Sequence, residues 1–242
     1  MRCDNKCLTN LCLLTSSPLM NDEIVFAPLS AEMVEETASM HIRLMPNDLA
    51  SRMGLSAVRD IFHLGTIEYS GGVGFVALSG RDIVGYCLAH VDFSEFSKFQ
   101  NQKIFHNYRE LLIKIFRHPS IIASLFGASR YLRAYPFFVN LGPLLVRPDF
   151  RKFNGLGDGR LSIAAELARI TFERIHELAP DWPVLTMIRP DNMPSISAVA
   201  QGARRAKYIL DKKSSITFGR DLRIIYEFRA QPAVDSPSAS RK

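Results

Sequence analysis

Residues 139–161, VNLGPLLVRPDFRKFNGLGDGRL, constrain the possible fold more than any other part of the chain. An apolar run that favours a buried strand leads through a polar segment into a glycine-rich stretch, and an amphipathic helical pattern follows. The first amides of a helix lack intrahelical partners and its dipole favours negative charge, so such a strand–loop–helix unit binds anions. Gly155, Gly157 and Gly159 would let the backbone approach a phosphate closely. The sequence therefore predicts a phosphate-binding unit within an α/β fold.

The composition is typical of a folded globular chain. Of the 242 residues, 47% are hydrophobic and 22% are charged, which excludes a chain that is disordered throughout. No apolar run approaches the roughly 20 residues that a membrane-spanning helix needs. The net charge of +6 suits an acidic partner or cofactor and carries no information about fold.

The cysteines and the two ends of the chain bear on compartment and domain limits. The cysteines are Cys3, Cys7, Cys12 and Cys87. They form no CxxC pair, so we expect neither a zinc site nor a disulfide framework, and we expect a reducing cytoplasm. Residues 1–20 lack the cleavage site of a signal peptide and are expected to form a disordered leader, with Met20 as an alternative start. Residues 231–242 are expected to form a flexible tail.

Apolar periodicity predicts one domain of strands and helices over residues 21–230. The expected elements are a strand at 24–29, a helix after Ser30, a helical region at 48–69, a hairpin of 73–78 and 83–91, a strand at 139–146, a helix at 159–178, a strand at 184–188, a helix at 192–201 and an antiparallel pair within 208–225. An antiparallel set of strands comes first, and strands then alternate with helices. We therefore expect an α/β fold with a mixed, mostly antiparallel central sheet flanked by helices.

Residues 93–133 differ from their surroundings because they are helix-like, aromatic and basic. They predict a helical insertion before the strand at 139–146, divided into two helices at Pro119. Three roles are open: a lid over an acceptor site, a helix at a membrane surface, or a packed cap. The many apolar residues need burial, which favours the lid or the cap over membrane-surface contact. Nucleic-acid binding is not expected, because no known module is present and the charges are spread around the helices.

The glycine-rich stretch departs from two common phosphate-binding patterns. A P-loop requires Gly-Lys-Ser/Thr after the glycines, whereas Arg160 and Leu161 follow Gly159, so magnesium–nucleotide binding is not expected. A dinucleotide fingerprint requires G-x-G-x-x-G, and here the third glycine comes one position early, which disfavours a nicotinamide oxidoreductase. An ordinary strand-to-helix turn that binds no ligand is a further alternative.

A third pattern fits better. The residues Val146-x-Pro148-x-x-Arg151, followed by Gly155-Leu156-Gly157, resemble the coenzyme A signature of the GNAT superfamily of N-acyltransferases, V-x-P-x-x-R-x-x-G-x-G or G-x-A. The expected order of elements and the Asn192 that begins a helix also resemble this family. The resemblance extends over about residues 24–228, and only the signature segment is specific by itself. It implies a GNAT-like fold with acetyl coenzyme A, or another acyl coenzyme A, as co-substrate.

The resemblance also implies a set of cofactor-binding residues. In this family the signature strand parts from its neighbour, and its free amides hold the pantetheine arm and the thioester oxygen; here these positions fall on Leu144 and Val146. Gly142 and Pro143 would favour such a break, since proline cannot donate to a strand ladder. The remaining implied cofactor-binding residues are Arg151, Lys152, Asn154, Gly155, Leu156, Gly157, Asp158, Gly159 and Asn192.

The reaction implied by the resemblance is direct attack of a primary amine on the thioester in a ternary complex. Proximity, oxyanion stabilisation and removal of a proton would provide the catalysis. The acceptor would be a small-molecule amine or a protein amine. The chain departs from the family in having one extra residue between Arg151 and Gly155, and in having Val199 where a tyrosine often acts as general acid.

No general base or acid follows from the sequence. Glu68 is a weak candidate base and more commonly a solvated residue at a helix end, while Tyr208 is a weak candidate acid or simply a strand residue. Asp191 is expected to cap the next helix, and the histidines lack metal-ligand spacing, so no metal is expected. The missing base and Val199 leave a non-catalytic acyl coenzyme A-binding or regulatory module as the alternative function.

Overall fold

The computed structural model describes residues 23–106, 135, 137–151, 161–218 and 221–232. Four predicted features therefore lie partly or wholly outside the described residues. They are the leader, the insertion from residue 107 onward with Pro119, the loop residues 152–160, and the tail beyond residue 232.

A single sheet of seven strands forms the centre of the molecule. The strands are β1 Ile24–Pro28, β2 Gly72–Ser79, β3 Asp82–His90, β4 Val139–Val146, β5 Val184–Ile188, β6 Tyr208–Phe218 and β7 Asp221–Ala230. Their order across the sheet is β1-β2-β3-β4-β5-β7-β6, and every neighbouring pair is antiparallel except β4 with β5, which is parallel. The predicted mixed, mostly antiparallel sheet is thus confirmed, and β2 with β3 forms the predicted hairpin.

Helices flank both faces of this sheet. They are α1 Val34–Leu44, α2 Leu49–Met53, α3 Leu64–Glu68, α4 Phe93–His106, α5 Ile163–Leu178 and α6 Met193–Arg205. A 3-10 turn, Ala31–Met33, precedes α1, and a π-helical segment, Ala57–His63, leads into α3.

Several predicted helix ends were wrong. The region at 48–69 is not one helix, because Gly54 adopts a φ of 97° and the π-helical segment follows it. Helix α5 begins at Ile163 rather than at residue 159, because the hydroxyl of Ser162 accepts a hydrogen bond from the Ala165 amide and caps the helix there. Ser30 occupies an N-cap position, but its side chain makes no capping bond.

One face of the sheet, here called the apolar face, is covered by α5 and α6. Its buried members include Val139, Leu141, Val184, Leu167 and Phe172. Helix α6 comes very close to α5 at Gly202, where a Cβ atom would lie 2.6 Å from the backbone oxygen of Ala165. The glycine is therefore required by the packing of the two helices.

The opposite face, here called the histidine face, lies beneath α1, the π-helical segment, α3 and α4. Strand β3 is buried on both sides, and its alternating side chains Tyr86, Leu88 and His90 point to this face. The helices contribute His41 and His63, which are 3% and 0% exposed. This face therefore buries imidazoles, whereas the ionisable groups buried on the apolar face are thiol and phenol side chains.

Candidate active site

The parallel strands β4 and β5 part from each other partway along the sheet. Their pairing consists of Val139 with Val184 and Asn140 with Leu185, although both strands continue beyond these pairs. Residues 142–145 are partly exposed even though β4 is a central strand. We call the space between residues 141–146 of β4 and 186–188 of β5 the β4–β5 opening.

A β-bulge interrupts β4 inside this opening. Leu141 pairs with Ala89 and Leu144 pairs with Cys87, so two residues, Gly142 and Pro143, lie opposite Leu88 alone. Residues three apart on a regular strand point to opposite faces, but the extra residue of the bulge lets Leu141 and Leu144 both contact the core of the apolar face. The bulge against β3 was not predicted, and it lies beside the point where β4 parts from β5, with the proline at a position that needs no donor.

The bulge is followed by two amides directed into the opening. The Arg147 amide donates to the Val84 oxygen of β3 at 2.8 Å. In an antiparallel pair every second residue directs its amide to the partner strand, so the Leu145 amide also points toward β3. The amides of Leu144 and Val146 then point away from β3, into the opening. The Val146 oxygen, on the same side, accepts a hydrogen bond from Arg151 Nε at 2.9 Å. The arrangement gives the opening two backbone donors, at the positions predicted to hold the thioester and the pantetheine arm.

Strand β4 and helix α5, which flank the glycine-rich loop, pack against each other. Val146, Phe150 and Ile163 all belong to the apolar cluster of this face. The predicted loop contacts through Lys152, Asn154, Gly155, Leu156, Gly157, Asp158 and Gly159 lie outside the described residues. Their role in cofactor binding stays a prediction.

Asn192 lies beyond the carboxyl end of β5. Its side-chain oxygen accepts a hydrogen bond from the Ser195 amide at 3.3 Å and caps α6. The expectation that Asp191 would cap this helix was wrong, because the Asp191 carboxylate pairs with Arg189 at 3.1 Å instead. Val199, at the position where the family that the sequence resembles often has a tyrosine, is buried in the core.

The two weak catalytic candidates lie away from the bulge. Tyr208 pairs with Ala230, on the side of Val184 that is remote from the opening, and its ring packs on Phe172. Burial raises the pKa of Tyr208 to about 12, and its hydroxyl has no hydrogen-bond partner among the described residues. Glu68 forms an ion pair with Lys103 of α4 and so ties α3 to that helix. Neither side chain is placed at the reacting position that the bulge suggests.

A row of buried polar groups crosses the histidine face. Tyr86 and His41 share a hydrogen bond of 2.6 Å between the hydroxyl and Nδ1, and His41 Nε2 lies 3.3 Å from the Asp48 carboxylate. Because a carboxylate can only accept, Nε2 carries the proton and Nδ1 accepts from the tyrosine hydroxyl. Burial and the charge of Asp48 raise the pKa of Tyr86 well above its ordinary value.

His63 and His90 are held as neutral imidazoles. Burial, followed by the charge of a neighbouring histidine, lowers the pKa of each to about 3. His90 stacks on Phe96 with ring centroids 3.6 Å apart, and its Nε2 lies 2.9 Å from the Thr66 hydroxyl. His90 is also the register partner of Asn140, the last β4 residue paired with β5. A buried histidine therefore lies beside the apex of the opening.

The sequence did not single out His90 as a residue that the fold would place beside the opening. The histidines are far apart along the chain, and only the fold brings His41, His63 and His90 to one face. The one local signal was the alternation of Tyr86, Leu88 and His90 along a strand, which places three residues on the same side.

Other signs of function are sparse among the residues described. They include no group of three or more metal-ligating side chains and no helix that could cross a membrane. Two surface clefts of about 440 and 580 Å³ are present, and none of their described lining residues belongs to the β4–β5 opening.

Comparison with known proteins gives structural neighbours only. The sequence matches no protein-family model and no curated protein. An acetyltransferase of the GNAT family from Streptococcus pneumoniae overlaps with 86% of this chain and 98% of its own, at 8% identity and a TM-score of 0.49. A ribosomal-protein-alanine N-acetyltransferase from Brucella melitensis overlaps with 86% and 99%, at 15% identity and a TM-score of 0.49.

A polyamine N-acetyltransferase from Drosophila melanogaster overlaps with 85% of this chain and 98% of its own, at 14% identity and a TM-score of 0.48. Structural similarity at these identities and TM-scores does not assign an activity to this chain. Structures of GNAT-family acetyltransferases are thus among the proteins to which this chain is similar over most of its length.

Proposed function

We propose that this chain is an acyl coenzyme A-dependent N-acyltransferase of the GNAT type. It transfers an acetyl or other acyl group to a primary amine by direct attack in a ternary complex. The single observation that carries the proposal is the β4–β5 opening, with its bulge at Gly142 and Pro143 and two amides directed away from β3. A parallel pair at the centre of a sheet normally stays hydrogen-bonded along its length, so the unused donors are available to a ligand.

The geometry of the opening suits a thioester with an extended arm. The amides of Leu144 and Val146 are separated by one residue on the same strand edge, so an extended amide-containing arm can pair with them as an added strand would. A backbone donor held by a bulge is rigid before the reaction, which is what stabilisation of a developing oxyanion requires. The diphosphate would lie beyond Val146, between Arg151, which bonds the Val146 oxygen, and the N-terminus of α5.

Proton transfer is the part of the reaction for which this chain lacks the family's usual residues. Val199 is 3% exposed and apolar, so it cannot protonate the departing thiolate. This observation favours a second candidate function, a non-catalytic acyl coenzyme A-binding or regulatory module. The acceptor would be a small-molecule or protein amine, and the cytoplasm stays the predicted compartment.

The proposal is tested first by ligand binding. Acetyl coenzyme A at about 100 times its Kd should stabilise the native chain by about 2.7 kcal/mol, seen as a higher Tm, whereas NAD should not. Equal Tm values with and without every coenzyme A ester would contradict the proposal. Release of free coenzyme A thiol in the presence of a panel of amines then separates the enzyme from the non-catalytic module, which binds the ester without turnover.

A further inference from the structure

The surface cleft of about 440 Å³ lies on the histidine face of the sheet, away from α5 and α6. It is lined in part by Glu227 and Arg229 of β7, which alternate along the strand with Tyr226 and Phe228 of the apolar face. Glu227 and Arg229 therefore point to the opposite side. The volume of the cleft is within the range of sites that hold small molecules.

A β-bulge in β6 brings two oppositely charged neighbours into this cleft. Leu210 pairs with Phe228 and Lys212 pairs with Glu227, so Asp211 is the extra residue of the bulge. Adjacent residues of a regular strand point to opposite faces, yet Asp211 and Lys212 both line the cleft. The bulge thus supplies a carboxylate and an ammonium group from consecutive positions.

One guanidinium joins the two carboxylates of the cleft. Arg229 Nε lies 3.0 Å from Asp211 Oδ2 and 3.1 Å from Glu227 Oε1, and Arg229 Nη2 lies 2.7 Å from the same Glu227 oxygen. Lys212 adds a second positive charge. The described lining therefore carries two positive and two negative side chains and has no net charge.

Glu227 is the buried charged group of the cleft. It is 6% exposed, and both bonds from Arg229 go to Oε1, which leaves Oε2 without a partner among the described residues. Oε2 is not fully enclosed by protein, so the remaining exposure of this side chain is to the cleft that it lines. A carboxylate oxygen in such a place can accept a charge-assisted hydrogen bond from a ligand ammonium group.

Donors for an anion lie beside this oxygen. Lys212 is exposed and makes no ion pair within the described part of the chain, and Arg229 uses only Nε and Nη2 for its two carboxylates. Lys212 and Glu227 are register partners, so their Cβ atoms are about 5 Å apart. The unpaired groups of the cleft therefore match a ligand that carries an ammonium and a carboxylate close together.

Aromatic rings form another part of the lining. Phe137 and Tyr135 both line the cleft, and the Tyr135 hydroxyl lies 3.1 Å from Ser214 Oγ. Phe137 is 68% exposed, and its ring centroid is 6.0 Å from that of Trp182. An apolar side chain on the ligand would remove part of this ring surface from water.

We infer that this cleft binds a free α-amino acid with an aromatic or other apolar side chain. Glu227 accepts from the ammonium group of the ligand, and Lys212 and Arg229 donate to its carboxylate. Phe137 and Tyr135 contact its side chain. No covalent step is involved.

This site is separate from the acyl transfer proposed above. Glu227 pairs with Leu185, which pairs with Asn140 in the last closed row of β4 and β5. By strand spacing, the Cα atom of Glu227 lies roughly 15 Å from that of Leu144 in the opening. An amine held by Glu227 does not reach the thioester, so the inference does not depend on the proposed function.

Isothermal titration calorimetry of the full chain with phenylalanine tests the ligand class. Phenethylamine and hydrocinnamate are the comparison probes, because each keeps the ring and lacks one of the two charges. Phenylalanine should bind with a Kd below about 1 mM and at least about tenfold more tightly than either probe, since only the zwitterion pairs with both sets of groups. Absence of phenylalanine binding, or equal affinity for a singly charged probe, would overturn the inference.

Glu227→Gln tests the buried carboxylate. The variant keeps the shape of the side chain and removes its charge, so the Kd for phenylalanine should rise by about tenfold or more. The matched control is Glu35→Gln, which also removes a carboxylate paired with an arginine, Arg59, but on α1. Its Kd should stay within about twofold of wild type. An equal change in both variants would contradict the role of Glu227.

Lys212→Gln tests the carboxylate end of the ligand and changes an exposed side chain, so it remains informative if Glu227→Gln does not fold. The preference for phenylalanine over phenethylamine should fall by about threefold or more, the size expected for an exposed ion pair. An unchanged preference would overturn the placement of the ligand carboxylate beside Lys212.

Discussion

The two faces of the sheet bury different kinds of side chain. On the apolar face, α5 and α6 pack on aliphatic and aromatic residues such as Leu167 and Phe172. On the histidine face, His63 and His90 are equally buried, yet each has one nitrogen without a partner. Burying such groups reduces stability unless something compensates. The apolar face is thus packed chiefly from apolar side chains, whereas the histidine face buries imidazoles that reduce stability.

The largest expected effect comes from opening a cavity in the apolar face. Phe172 is fully buried and its ring packs on Tyr208 and Phe228. Phe172→Ala should lower the free energy of unfolding by about 3–5 kcal/mol, measured by urea denaturation. Molecules that remain folded should bind acetyl coenzyme A with unchanged affinity. A cost below about 1 kcal/mol would show that this face does not maintain the fold.

The next effect is the acid sensitivity of the histidine face. The pKa values of His63 and His90 are lowered from 6.5 to about 3, so between these pH values the unfolded chain binds more protons than the folded chain. Stability is therefore complete above pH 6.5 and is lost as pH falls, by about 1.4 kcal/mol per pH unit for each histidine.

Unfolding free energies at pH 7, 6 and 5 measure this slope. His63→Gln should reduce it by about 1.4 kcal/mol per pH unit, whereas His176→Gln, a change at an exposed position on α5, should leave it unchanged. Equal slopes for wild type and His63→Gln would show that His63 is not a buried neutral imidazole.

A smaller effect concerns the start of α5 on the apolar face. Ser162→Ala removes the capping bond to the Ala165 amide and should cost about 1 kcal/mol in unfolding free energy. Ser30→Ala is the matched control, since Ser30 sits at an N-cap position without a capping bond and its hydroxyl is buried without a partner. Its removal should cost nothing measurable. A larger loss for Ser30→Ala than for Ser162→Ala would contradict this assignment of the caps.

The elements with strong local patterns could be predicted, and those set by packing could not. The hairpin of β2 and β3 followed from its glycine-bearing turn and β4 followed from its apolar run, while the parting of β4 from its neighbour was implied by the family resemblance. The break at Gly54 and the π-helical segment were missed, because the apolar spacing of residues 55–64 is also that of a regular helix.

The residues of the candidate site likewise fall into those that the sequence indicated and those that only the fold brings together. The positions of Leu144 and Val146 were implied by the resemblance to the GNAT family, and the ladder directs their amides away from β3. The pairing of His90 with Asn140 depends on the β3–β4 register, and residues 50 apart along the chain carry no local sign of that contact. Asp191 was expected to cap α6, whereas Asn192 does so, because both residue types are good caps and propensity alone cannot separate adjacent residues.

The central claim is that acyl coenzyme A is held by the free amides of β4, and amide hydrogen exchange tests it most directly. Exchange at Leu144, Leu145 and Val146 should be followed with and without acetyl coenzyme A. Leu145, whose amide points toward β3, is the internal control and should be protected in both states. The account predicts that the Leu144 and Val146 amides exchange rapidly in the free chain and become protected with ligand. Unchanged rates at both amides, in a chain saturated with acetyl coenzyme A, would contradict it.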